Sequence, residues 1–129
     1  MASEIQLTGR FVVKPMAFSE IELKKIDKLV CTMCRERIPA HIKDELELVY
    51  RVKGHDVTIF EKRPSWDDPD ETMEIPVAKL KYVRTRNEWR LYWQRRDLKW
   101  HAYELLSSST DLKELVDEVD EDPYCCFFG

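Results

Sequence analysis

The chain has 129 residues, 43% hydrophobic and 36% charged, with a formal net charge of −4. That length suits one hydrophobic core, and that composition is globular, not disordered. With three glycines it contains neither a GxGxxG nor a GxxxxGKS/T phosphate loop, and no window approaches the ~18 apolar residues of a membrane span.

The opening residues lack the apolar stretch of a signal peptide. A cytoplasmic protein is therefore expected, with its four cysteines as free thiols. The charge is distributed in blocks. Residues 64–78 carry five acids and no base, 79–103 carry eight bases and two acids, and 104–129 carry eight acids and one base. Such fields act locally, within about a Debye length of ~8 Å.

Residues 1–18 are read as an N-terminal arm or short strand, and 19–129 as a single α+β domain. Ser19 and Glu22 form a capping-box pattern that opens a helix. Leu23, Ile26, Leu29, Val30 and Met33 follow at helical spacing as its buried stripe, and Pro39 stops it. From Glu45 the period changes to two. Leu46, Leu48, Tyr50 and Val52 share one face, residues 53–56 turn, and Val57, Thr58, Ile59 and Phe60 return as the second strand of a hairpin.

Residues 63–76 hold three prolines and five acids and are predicted to be a long loop. A meander follows, with strands over 77–84, 89–93 and 98–105. The cluster Ser107 to Thr110 is predicted to cap a final helix over 111–120, whose stripe is Leu112, Leu115, Val116 and Val119. The apolar tail 124–129 is expected to fold back through Phe127 and Phe128, or to dock on a second copy. Short connections require an antiparallel sheet. The predicted fold is thus about five antiparallel strands, a hairpin plus a three-strand meander, with the N-terminal and C-terminal amphipathic helices packed on one face.

The residues Cys34, Arg37 and Pro39, the run 44–50, and Gly54, Val57, Ile59, Glu61, Arg63, Pro64 and Trp66 form an ordered pattern. It continues through Trp89, Leu91, Tyr92, Trp93, Trp100, His101 and Tyr103 to Asp120, Asp122, Pro123, Phe128 and Gly129. In this pattern the chain resembles a bacterial family known as domain of unknown function 3024, over roughly the last hundred residues. The resemblance implies a shared fold and brings no activity with it.

The stretch 79–103 interleaves cations with aromatics. Arginine and lysine neutralise phosphates and flat rings stack on bases, a mixture suited to single-stranded nucleic acid. The plainer account puts Trp89, Leu91 and Trp93 in the core and leaves the cations as a solvated sheet face. The candidate binding residues are Lys79, Lys81, Arg84, Arg90, Tyr92, Arg95, Arg96, Lys99 and His101.

A second expectation concerns Asp56, Glu61 and Arg63, which imitate the acid-then-E-x-K order of a metal-dependent phosphodiesterase. Arginine stands in place of the lysine, and a same-face ion pair between Glu61 and Arg63 explains the spacing as well. Cys31 and Cys34 have the CxxC spacing of zinc and redox sites, with Cys125, Cys126 and His41 as further donors. Their place late in a helix, neither on a knuckle nor at a helix N-terminus, favours structural thiols. No catalytic set, metal or cofactor is read.

The sequence therefore points first to a non-enzymatic binding module whose basic-aromatic strands take nucleic acid or another polyanion. Phosphodiesterase chemistry around Glu61 and a protein–protein adaptor using the acidic loop 65–75 are the alternatives. The partners considered are nucleic acid, an acidic protein and a second copy, with no membrane.

Overall fold

The computed structural model describes residues 4–6, 18–42 and 45–128. The expected arm over 1–18 lies outside the described residues, apart from β1 (Glu4–Gln6) and Phe18. The helical segment opens as its sequence requires. Ser19 accepts from the Glu22 amide at 3.2 Å while Glu22 accepts from the Ser19 amide at 2.8 Å, which satisfies two amides that the helix start leaves open.

The helix is not continuous to Pro39 as predicted. It runs as α1 (Glu20–Ile26), a π-helical turn (Asp27–Cys31) and α2 (Thr32–Arg37). A π turn inserts an extra residue and advances the buried stripe around the axis. That phase change brings Cys34 as well as Met33 inside, while Leu29 is only half-buried.

Among the described residues seven strands form one antiparallel sheet, where about five were expected. They are β1, β2 (Glu47–Lys53), β3 (Asp56–Pro64), β4 (Thr72–Val83), β5 (Glu88–Gln94), β6 (Trp100–Ala102) and β7 (Ser108–Ser109). The order in space from β1 to β6 is the order in the chain, and β7 also pairs with β5. Between β2 and β3 the two-residue turn has positive φ at Gly54 alone, at 60°, which is the type II′ hairpin geometry that glycine serves. Asn87, at φ 52°, reverses the chain before β5.

The predicted long loop over 63–76 is mostly strand. β3 continues to Pro64, β4 resumes at Thr72, and the pairs Glu61–Ile75 through Pro64–Thr72 extend the ladder. The prolines fit because they avoid the interior of a full sheet. Pro64 closes its strand, and Pro76 lies at the register shift opposite Phe60, outside the last β4–β5 pair, Ala78–Trp93.

The predicted strand over 98–105 is also corrected. It is shortened to β6 and then interrupted by a 3-10 turn (Glu104–Leu106) before β7. Leu91 bridges the interruption, accepting from the Tyr103 amide and donating to the Ser107 carbonyl, each at 2.9 Å. The break lets Tyr103 enter the core at 1% exposure. Its hydroxyl donates to Glu118 of α3 (Leu112–Glu121) at 2.7 Å. The cap of α3 is Asp111, which accepts from the Lys113 amide at 3.1 Å; Ser109 of the predicted cluster supports it by accepting from the Asp111 amide at 3.0 Å.

One hydrophobic cluster joins Leu23, Ile26, Val30 and Met33 to Leu115, Val116 and Val119 and to alternate strand residues, among them Val52, Val57, Ile59, Leu80 and Leu91. Phe18 belongs to it and stacks on Trp89 at 5.6 Å. At the other end Asp122 takes a left-handed conformation at φ 43°, and its carboxylate accepts from the amides of Phe127 and Phe128 at 3.1 and 2.8 Å. The tail thus folds back, with Phe127 buried against Tyr103 at a ring separation of 4.9 Å.

Candidate nucleic-acid interface

In an antiparallel sheet directly opposed residues share a face. One cross-strand row therefore runs Arg51, Thr58, Lys79, Tyr92 and Ala102, and the next runs Lys53, Asp56, Lys81, Arg90 and Ser108. These alternate with the buried row Val52, Val57, Leu80 and Leu91, so they occupy the opposite face of the sheet. Phe60 and Trp100 flank the first row by the same periodicity. The Lys79 ammonium lies 4.9 Å from the Trp100 ring centre, and the Arg51 guanidinium lies 4.9 Å from that of Phe60. Cations and ring faces are thereby held side by side across neighbouring strands.

Acids from the same strands moderate this surface. Arg51 pairs with Glu74 at 2.5 Å, and Arg90 pairs with Glu88 at 3.1 Å. The hydrogen bond from Arg51 holds the Glu74 carboxyl below its ordinary range, against the opposing effect of burial. Asp56 lies in register between Lys53 and Lys81, and its Oδ1 is buried with no hydrogen-bond partner among the described residues.

The sheet unites four of the nine sequence candidates: Lys79, Lys81, Arg90 and Tyr92. Three others, Arg95, Arg96 and Lys99, are exposed in the turn between β5 and β6. Arg95 lies 5.5 Å over the Trp93 ring. Arg84 is drawn to the other end of β4, pairing with Glu22 at 3.0 Å and lying 5.2 Å over Tyr82. His101, opposite Trp93, lies on the other face, with Nε2 2.9 Å from Asp97. Sequence reasoning missed Arg51, Phe60 and Trp100 as members of the surface. Their signal was present in the period-two pattern, which places Arg51 opposite in sense to Tyr50.

Asp56, Glu61 and Arg63 are not brought together. Asp56 opens β3, and Glu61, five residues on, has the opposite facing. Glu61 is instead paired with Arg63 at 2.6 Å. Among the described residues no group of three or more histidine, cysteine or acidic side chains is gathered for a metal ion. Cys34 is buried beside Cys31, and burial first, with that neighbour second, pushes its thiol up to about 12. Among the described residues no helix is long and apolar enough to cross a membrane.

The fold is α+β, an antiparallel sheet combined with helices. The chain belongs to the family described as Domain of unknown function (DUF3024), whose pattern matches residues 18–129. Comparison with curated proteins and with solved structures finds no match.

Proposed function

We propose that this chain is a binding module that takes single-stranded nucleic acid on the sheet face carrying Lys79, Tyr92 and Trp100. In this reading the helices pack on one face of the sheet and leave the other to the ligand. The observation that carries it is the Lys79 ammonium 4.9 Å from the Trp100 ring, in the row that also holds Tyr92. Bases stack on such rings whatever their identity, while adjacent ammonium groups meet the backbone.

The pairs Arg51–Glu74 and Arg90–Glu88 take two cations out of phosphate contact. Lys53, Lys79 and Lys81 remain as the phosphate-binding set, so about three phosphates are neutralised and stacking contributes the rest. The test is fluorescence anisotropy of labelled single- and double-stranded oligonucleotides at several salt concentrations. Preference for single strands, a log–log salt slope of about −2, and weakening by Lys79→Ala with Lys81→Ala and by Trp100→Ala are expected. Absence of binding at low salt would remove this reading.

A further inference from the structure

The ladder between β3 and β4 continues as a two-stranded arm beyond the last β2–β3 pair, Glu47–Lys62, to Pro64–Thr72. The tip is closed by its own hydrogen bonds. The Ser65 amide donates to the Glu71 carbonyl at 2.8 Å, and the Glu71 amide donates to the Asp68 carbonyl at 3.0 Å. On this closed tip stands Trp66, 88% exposed, the most exposed of the large hydrophobic side chains among the described residues. Asp67, Asp68, Asp70 and Glu71 follow it in sequence and are all exposed.

The turn between β5 and β6 leaves from the same end of β4, because β5 ends its pairing there at Ala78–Trp93. An open groove of about 530 Å³ lies in this turn, walled by Trp93 and Gln94 and rimmed by Arg95, Arg96 and Asp97. Beside it Leu98 is 76% exposed and held at φ 63°, a conformation disfavoured for a residue bearing a Cβ. Strain that keeps an apolar side chain in water is a pointer to contact with something else.

We propose that the Trp66 tip of one copy seats in the groove beside Trp93 of a second copy, with the exchange made twice about a two-fold axis. Charge selects this occupant. The tip carries four acids and the groove rim carries Arg95 and Arg96, so each copy holds both halves of a complementary pair. A two-fold axis brings each acidic tip to the other copy's basic rim, doubling the contact without leaving an open end. The indole ring meets Trp93 and Leu98, and the preformed tip loses little freedom on docking. This inference is independent of the ligand proposed for the face of Lys79 and Trp100.

Sedimentation velocity of the full chain over a concentration series, at low and high salt, tests it. A salt-sensitive shift from one-chain to two-chain mass is expected, with Trp66→Ala weakening association at least about tenfold. Two charge variants decide the geometry. Arg95→Glu with Arg96→Glu makes both tip and groove acidic, and Asp67→Arg with Asp70→Arg and Glu71→Arg makes both basic. Each alone stays one-chain in mass, while their mixture recovers a mixed two-chain species. Because every altered side chain is exposed, circular dichroism is expected to be unchanged in each variant. One-chain mass up to about 1 mM would overturn the proposal, as would association indifferent to Trp66→Ala, failure of the mixture to associate, or growth beyond two chains.

Discussion

The Arg37 guanidinium lies 3.7 Å over the ring of Phe128 and also reaches the Asp120 carboxylate at 3.2 Å. Residues at the end of α2, the end of α3 and the tail are thereby tied at one point. The tail is a structural part of the core, since Phe127 is only 7% exposed. Phe127→Ala is expected to cost about 3 kcal/mol of stability, read as a lower urea midpoint. A loss below about 1 kcal/mol would show that the ring is not sealed against Tyr103.

The Glu22 carboxyl is held below its ordinary range, chiefly by the hydrogen bond from Arg84 and also by the Ser19 amide, against a burial effect of opposite sign. A carboxyl whose folded pKa is depressed contributes stability above its unfolded value of about 4.3, and that contribution is lost as pH falls through the folded pKa. Glu22→Gln keeps an acceptor for the Ser19 amide and removes only the charge. The variant is expected to be less stable at neutral pH and to approach the parent chain as the pH is lowered. Urea melts at a series of pH values measure this; parallel pH profiles for the two proteins would count against the Arg84 contact.

The four thiols are expected to separate by reactivity. Cys125 is exposed and Cys34 buried, with the Cys34 thiol pushed up to about 12. Burial also raises the Cys126 thiol. A disulfide reagent at pH near 8 is expected to give a fast phase that Cys125→Ser removes, while Cys34 reacts only after denaturant is added. Labelling of Cys34 in the folded protein at the Cys125 rate would show that α2 opens readily.

The parts of this fold that were legible in sequence are those set by local chemistry. Ser19 and Glu22 cap a helix by contacts within one turn, and the alternation from Leu46 to Phe60 defines a hairpin whose two-residue turn needs Gly54. The parts that were not legible depend on distant partners. Nothing near Asp27 requires a π turn; it follows from fitting Val30, Met33 and Cys34 to one core. Pro64 and Pro76 read locally as breakers, yet each occupies a position where a ladder tolerates the missing amide. Tyr103 reads as one more strand residue, but the chain breaks there so that the ring can reach Phe127 and Glu118.

The candidate surface was half visible. The alternation of cations and aromatics over 79–103 identified Lys79, Lys81, Arg90 and Tyr92, because strand periodicity alone places them on one face. Proximity in the chain groups Arg84 and His101 with the same surface, whereas contacts with Glu22 and Asp97 hold them elsewhere. The contributions of Arg51 and Phe60 come from the first hairpin, and only the pairing of β3 with β4 brings them alongside.

The agreement between strand order in space and strand order in the chain bears on how the molecule assembles. From β2 to β5 every strand adds to the one made just before it, across connections of two to seven residues. Little loop entropy is lost before each new ladder begins to be compensated, so growth can start at the Gly54 reversal or near Asn87 and spread outward. The slow step then falls to the helices, whose closure on the sheet joins Phe18 to Trp89 and Glu22 to Arg84, residues far apart along the backbone.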